Sequence, residues 1–218
     1  MRSLVLSAAV VSTVAAFGMA LAPAASATPS PSESPSASSS GAGQTARGEQ
    51  HCVIRPSTSK RPVNMNCYRT YTEAVSDVTG GRVADAPDPS IMTSADRAAL
   101  DRRIAAAGQA GKQAGVLADE YPVRVATAWE HENYQGSSMM FASKQGCYGN
   151  YNVYKYAELA YGWNDIISSI QTFEGCRGLL YEHTYFGGSY TYRFNKLSSL
   201  GRMNDRASSA QIGYMPNE

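Results

Sequence analysis

The strongest constraint on this chain is an internal duplication. The stretch Trp129, Glu130, His131, Glu132, Asn133, Tyr134, Gln135, Gly136 returns as Tyr181, Glu182, His183, Thr184, Tyr185, Phe186, Gly187, Gly188. Each opening is followed, after a variable stretch, by an acid, amide and hydroxyl cluster: Asn164, Asp165, Ile166, Ile167, Ser168, Ser169 and then Asn204, Asp205, Arg206, Ala207, Ser208, Ser209. Two anchors recurring in the same order mean two copies of one supersecondary unit. Apolar residues lead into each opening, Val123, Val125 and Trp129 in the first and Leu179, Leu180 and Tyr181 in the second. A glycine follows within eight residues, so the pattern predicts strand, tight hairpin, strand. Gly136 and Gly188 fall where a positive φ, or an aromatic ring lying flat on backbone, asks for glycine. The later clusters consist of short side chains that bend back on their own backbone, and they predict ordered loops.

Aromatic, Glu, three residues, aromatic, any residue, Gly, and later Asn, Asp, two residues, Ser, Ser resembles the Greek key of the βγ-crystallin superfamily. The second half of the chain is similar to its calcium-binding microbial branch, in an exported protein of actinobacterial type. The resemblance runs from about Val123 to Tyr214. It implies a double Greek key sandwich at the C-terminus; with the upstream residues, which read as a small disulfide-linked α/β unit and a helical linker, the expected fold is mainly β. It also implies two Ca²⁺ sites between the paired keys, to which each loop contributes twice. The second cluster position supplies a side-chain oxygen, the third a backbone carbonyl, and the fifth a hydroxyl to the partner site, with the Glu after the opening aromatic adding a further oxygen. In this sequence those are Asp165, Ile166, Ser168 and Glu130, with Asp205, Arg206, Ser208 and Glu182. Asn164, Ser169, Asn204 and Ser209 brace the loops.

The residues support that chemistry independently. Ca²⁺ takes six to eight oxygens from carboxylate, amide, hydroxyl, carbonyl and water, and each cluster offers these within six residues. Arg206 is a departure, because its charge weakens one site unless the guanidinium points into solvent. The first copy also carries extra residues from about Gly146 to Tyr161, rich in tyrosine (Tyr148, Tyr151, Tyr154, Tyr156) and holding Cys147. Turn formation alone also explains Asn-Asp and Ser-Ser pairs in a Greek key. His131 and His183 occupy matched repeat positions, which duplication produces without any catalytic demand.

Upstream, Arg2 precedes an apolar run from Leu4 to Leu21 that ends in Ala25, Ser26, Ala27, a secretory signal peptide over residues 1–27. Residues 28–50 are Ser, Pro, Ala and Gly with few large apolar side chains, a composition that cannot offset its ordering entropy and predicts a tether. Residues 51–84 form a small unit with an extended piece at Val53 and Ile54. In it a helix carries Tyr71, Ala74, Val75 and Val78 on one face, with Thr72 as a candidate cap and Gly80 and Gly81 as the stop. The unit is too short for its own core and is expected to pack on a neighbour or stay loosely ordered. Residues 85–121 form a linker whose helix runs from Ser94, its N-cap, to about Gln113, with a thin stripe of Leu100, Ile104 and Ala107. Residues 122–216 are the duplicated domain.

Four cysteines, Cys52, Cys67, Cys147 and Cys176, in an exported chain predict two disulfides out of three possible pairings. Pairing Cys52 with Cys67 and Cys147 with Cys176 keeps each bridge inside one unit, each contributing about 3 to 4 kcal/mol. Spacing excludes a zinc finger, since there is no Cys-x-x-Cys. With 19 Lys and Arg against 18 Asp and Glu and no basic stripe, nucleic acid is not an expected partner. No membrane span is expected after signal removal, and the chain is expected to be a secreted monomer. No nucleophile elbow, carboxylate pair or phosphate loop marks an enzyme. The function expected first is a secreted, calcium-stabilised structural protein. A secreted metallopeptidase inhibitor of crystallin-like fold and a killer-toxin-like antifungal protein are the alternatives, with calcium ions, a secreted peptidase or a cell-envelope component as partners.

Overall fold

In the computed structural model, residues 48–56, 64–113, 123–149, 151–159 and 162–216 are described. The expected signal peptide, the tether up to residue 47, residues 114–121 of the linker and Pro122 of the duplicated domain lie outside them. So do Asn150, Ala160 and Tyr161 of the Tyr-rich insertion. Among the described residues no helix is long and apolar enough to cross a membrane.

The duplicated half is built as expected. In the first copy, β3 (Val123–His131) turns into β4 (Gln135–Ser143), followed by β5 (Val153–Tyr156) and β6 (Ser169–Thr172). In the second, β7 (Arg177–Tyr181) precedes the short β8 (Lys196–Leu197) and β9 (Ser209–Gly213). The copies exchange strands: β8 of the second joins β6 of the first, and β5 of the first joins β9 of the second. Each sheet of the sandwich therefore contains one strand from the other key, and neither key is complete alone.

The N-terminal unit does not stand beside this sandwich but extends it. β1 (His51–Arg55) pairs antiparallel with β2 (Asn64–Tyr68) and, on its other side, parallel with β4, from His51 opposite Ser138 to Ile54 opposite Phe141. Among the described residues the strand orders are β2-β1-β4-β3-β6-β8 and β5-β9-β7. Cys67 lies in β2, and the expected helix forms as α1 over Tyr71–Val78. Its cap is Thr70, not Thr72, because the Thr70 side chain accepts from the Glu73 N–H while the Glu73 carboxylate accepts from the Thr70 N–H, a reciprocal capping box. The Thr72 hydroxyl instead donates to the Ala86 carbonyl at 2.6 Å. α2 spans Ser94–Gln113. Thr93 and Asp96 form the same box at its start, which displaces Ser94 from the capping role. Both disulfides follow the pairing favoured from the sequence, Cys52–Cys67 across the β1–β2 hairpin and Cys147–Cys176 within the duplicated half.

Strand alternation divides the interior into two cores. Cys52, Ile54, Met139 and Phe141 point into the sandwich with Tyr156, Ile170, Leu180 and Ile212. Their neighbours Val53, Met140 and Ala142 point the other way and pack under α1 and α2, against Tyr71, Ala74, Val75, Val78, Leu100 and Ile104. The thin stripe of α2 is thus a packed face covering the outside of the six-stranded sheet. A bulge between Arg124 and Ala126 reverses the parity of β3. Val125 and Ala126 both enter the sandwich core, and Arg124 ion-pairs with Asp101 of α2 at 2.6 Å.

His51 opens β1 on the helix-covered side. It is 1 % exposed, its Nδ1 lies 3.0 Å from Ser138 Oγ, and its ring meets Tyr71 edge-on at 5.5 Å. Burial pushes its pKa below the usual histidine value, with Asp88 opposing the shift in part. The folded state therefore holds a neutral imidazole, while the unfolded chain binds a proton near pH ~6.5. Stability from this group is complete above that pH and is lost as pH falls toward the lowered folded value. Thermal melts from about pH 7 to about pH 5.5 are expected to fall more steeply for the native chain than for His51→Gln. Parallel curves would show that His51 does not carry the effect.

Candidate functional site

The two hairpins have the same backbone despite different side chains. Asn133 and Tyr134 have φ of 58° and 66°, and Tyr185 and Phe186 have 54° and 65°. These left-handed residues fold each hairpin back so that Trp129 meets Tyr134 edge-on at 5.1 Å and Tyr181 meets Phe186 edge-on at 5.6 Å. At Gly136 (φ 75°) and Gly188 (φ 76°) an added Cβ would lie 2.7 Å and 2.8 Å from the rings of His131 and His183. The histidines thus sit where the repeat needs a flat ring over glycine backbone.

Each hairpin is tied to the loop of its own key by one buried hydroxyl. Ser169 Oγ donates to the His131 carbonyl at 2.6 Å and accepts from the Tyr134 N–H at 3.0 Å. Ser209 Oγ does the same with the His183 carbonyl at 2.6 Å and the Phe186 N–H at 3.0 Å. Neither serine is exposed, at 0 % each, so each hydroxyl answers two backbone groups that water cannot reach.

The loops cross between keys. Asp165 and Asp205 adopt φ of 60° and 53°. The Asp165 N–H donates to the Ala207 carbonyl at 3.0 Å, and the Asp205 N–H to the Ile167 carbonyl at 3.1 Å. Ser208 Oγ donates to Asp165 Oδ1 at 3.1 Å, and Ser168 Oγ donates to Asp205 Oδ1 at 3.0 Å. Asn164 and Asn204 donate to the second oxygen of the neighbouring carboxylate at 2.9 Å and 2.8 Å. The result is two carboxylate and hydroxyl pairs, each made from both keys. Asn204 Oδ1 is buried without a hydrogen-bond partner beside Asp205.

Of the residues singled out from the sequence, Asn164, Asp165, Glu182, Asp205, Arg206 and Ser208 line one open cleft, joined by His183 and Thr184 of the second hairpin. Ile166 packs against the sandwich core, Ser168 is reached through Asp205, and Glu130 is half-buried at the end of β3. Arg206, whose charge was expected to weaken one site unless its side chain faces solvent, ion-pairs with Glu182. The second Glu182 oxygen accepts from the Ser189 N–H at 3.1 Å. That N–H first, and then the Arg206 guanidinium, hold the Glu182 carboxyl below the usual carboxylate range.

Sequence reasoning missed the backbone links that lock the halves together. The Asn133 N–H donates to the Ser198 carbonyl at 2.8 Å and the Tyr185 N–H to the Ala157 carbonyl at 2.8 Å, so each hairpin is anchored by the other key. Backbone carbonyls leave no side-chain signature, and only the repeat itself could have pointed to them. Missed too was Arg97 of α2, whose guanidinium carbon lies 5.9 Å and 5.6 Å from the Trp129 and Tyr134 rings.

The donors at the crossed loops are carboxylate, hydroxyl and carbonyl oxygens, a set that suits a hard cation. Among the described residues, no three or more His, Cys, Asp or Glu side chains come together in a group that could hold a metal ion, so an ion at the crossed loops would have to draw on hydroxyl and carbonyl oxygens beside single carboxylates. The Asp165 and Ser208 pair and the Asp205 and Ser168 pair fit an oxygen-liganded ion of the calcium type.

No family model matches the sequence, and no curated protein does. Among solved structures, the chain is similar to a βγ-crystallin domain from Flavobacterium johnsoniae at 31 % identity, over 43 % of this chain and 99 % of that one, with a TM-score of 0.32. A double mutant of a βγ-crystallin domain from Clostridium beijerinckii is 25 % identical over 42 % of this chain and 98 % of that one, with a TM-score of 0.33. A βγ-crystallin from an archaeon is 23 % identical over 41 % and 96 %, with a TM-score of 0.31. The exchanged strands, matched hairpins and crossed loops on their own give residues 123–213 the double Greek key fold of a βγ-crystallin domain.

Proposed function

We propose that this chain is an exported structural protein whose βγ-crystallin domain is stabilised by calcium at two sites, one built on Asp165 and Ser208 and the other on Asp205 and Ser168. The observation that supports it is the reciprocal crossing of the loops: each carboxylate is met by a hydroxyl of the other key at 3.0 Å to 3.1 Å. The carbonyls of Ile166, Arg206, Glu130 and Glu182 complete the donor set, and Asn164, Asn204, Ser169 and Ser209 hold the loops. An ion in either position is shared by both keys, so it adds to the strand exchange as a second clasp.

Binding to the folded form alone adds about 2.7 kcal/mol at a free ion concentration a hundredfold above the dissociation constant. Added stability from calcium suits a protein that folds after export, where its two disulfides also form. The test is calorimetric titration of the chelator-treated chain with calcium, together with thermal melts. The native chain is expected to bind two ions with a rise in melting temperature, and Asp165→Ala with Asp205→Ala to lose both. Silence in the native chain removes the calcium reading. The peptidase-inhibitor reading would then be screened next, with the insertion around Cys147, where Tyr148 is 76 % and Tyr151 83 % exposed, as its candidate contact surface.

A further inference from the structure

We propose that the open outer face of the β5-β9-β7 sheet binds an anionic polysaccharide, an inference independent of the calcium reading. The duplication supplies the contrast. On the first key the outward residues Met140 and Ala142 lie under α1 and α2. On the second, the corresponding stretch stands in solvent, with Tyr190 65 % and Tyr192 95 % exposed. Strand register defines the rest of the face. Tyr156, Leu180, Ala210 and Ile212 point into the sandwich core, so their neighbours point outward. Lys155, Gln211 and Leu179 form one outward row across the three strands, and Val153, Gly213 and Arg177 form the next. Residues 189–194 run beside β7. Tyr190 pairs with Tyr181, their rings 5.8 Å apart, and Phe194 pairs with Gly178. Thr191 is buried between Tyr190 and Tyr192, so the two tyrosines continue the outward face past Leu179 and Tyr181.

The charge on this face has one sign. Residues 151–157, 177–181, 189–197 and 209–216 contain no Asp or Glu, and among the described residues neither Lys155 nor Arg177 has an ion-pair partner. The flanking carboxylates are engaged elsewhere, Glu182 with Arg206 and Glu174 with Gln109 of α2. The complement of such a face is an anion. A second copy of this chain would bring two acid-free cationic faces together, which like charges oppose. Protein partners are held mainly by side chains buried in desolvated pockets, whereas Tyr192 stands proud of a strand. A sugar ring has a face of C–H bonds that packs on an aromatic ring and a rim of hydroxyls that bonds to amides and phenols. Tyr190, Tyr192 and Gln211 offer those groups, while Lys155 and Arg177 meet the carboxylate, sulfate or phosphate of the polymer.

Calorimetric binding at low salt tests this, with thermal melts to establish that each variant is folded. The probes are short hyaluronan and heparin oligosaccharides, neutral maltodextrin, and a polyglutamate peptide of matched length. The native chain is expected to bind at least one of the two anionic oligosaccharides more tightly than maltodextrin or polyglutamate, and more weakly as salt rises. Tyr192→Ala is expected to weaken that binding about tenfold. Lys155→Gln combined with Arg177→Gln is expected to weaken it and flatten its salt dependence. Arg102→Gln, at an exposed position of α2, is expected to leave it unchanged. Polyglutamate bound as tightly as the sugars, with no loss in Tyr192→Ala, would reduce the face to a patch of charge and overturn the proposal. Maltodextrin bound as tightly as the anionic oligosaccharides would overturn the need for an anion. No binding of either anionic oligosaccharide, or a concentration-dependent dimer that Tyr192→Ala abolishes, would overturn the polysaccharide assignment, and all of these outcomes leave the calcium titration to be judged separately.

Discussion

A chain shortened to begin at residue 114, without β1, β2, α1 and α2, is expected to lose its cooperative unfolding transition and to bind a hydrophobic dye strongly. The reason lies in β4, which is apolar on both faces. Met139 and Phe141 belong to the sandwich core, Met140 and Ala142 to the core under the helices, and all four are 0 % exposed. Truncation uncovers the second pair and also the β4 edge, whose backbone groups pair with β1 over four residue positions. An unpaired apolar edge is a template for aggregation. The same cut removes Cys52 and Ile54 from the sandwich interior. Burial of a large aliphatic or aromatic side chain contributes about 1.5 to 3 kcal/mol. Val53, Ile54, Tyr71, Val75, Val78, Leu100 and Ile104 are all buried, so the cut strips several such contacts from a fold whose whole net stability is about 5 to 15 kcal/mol. Denaturant unfolding followed by tryptophan fluorescence, with dye binding in parallel, checks this. A sharp transition at the native midpoint without dye binding would mean that the N-terminal elements decorate the sandwich without supporting it.

That dependence was only half legible in the sequence. The duplication fixed the paired hairpins, the loop positions and the sandwich, because aromatic, glycine and hydroxyl positions at matched spacing have few physical uses. The stripe of Leu100, Ile104 and Ala107 was visible too, but a stripe does not say what it covers. The signal for that was in β4, where Met139, Met140, Phe141 and Ala142 run apolar without alternation, as in a strand buried on both sides. The matching stretch of the second key, Ser189 to Phe194, alternates, and its Tyr190 and Tyr192 are exposed at 65 % and 95 %. The two keys thus announced that one outer face is covered and the other is open. The parallel partner of β4 was not legible, since β1 lies more than eighty positions earlier and parallel pairing leaves no local turn signal. The site shows the same division. The cluster residues were evident, whereas the pairing of Arg206 with Glu182 depends on how the second hairpin folds back over its loop.

Asp101→Ala is expected to destabilise the protein by about 3 to 5 kcal/mol, far more than an ordinary surface ion pair would cost. Arg124 is the residue that the β3 bulge turns outward, beneath α2. Its side chain is 2 % exposed, its Nη2 meets Asp101 Oδ1 at 2.6 Å, and its guanidinium carbon lies 3.6 Å from the Phe173 ring centroid. Nε and Nη1 are buried with no hydrogen-bond partner. The cation therefore depends on Asp101 for its strongest compensation, and removing that carboxylate leaves a charge in a poorly solvated place. A buried pair replaced on both sides by apolar residues avoids this penalty. Combining Arg124→Met with Asp101→Leu is thus expected to recover most of the loss, and a double-mutant cycle on denaturant midpoints to give a large coupling energy. If the double variant is as unstable as Asp101→Ala, the cost comes from packing between α2 and the sheet, and the ion pair is not what fastens the helix. If it recovers, the pair is a specificity device. It seats α2 in the register that places Leu100 and Ile104 over Met140 and Ala142, and so sets the cover on which the first key depends.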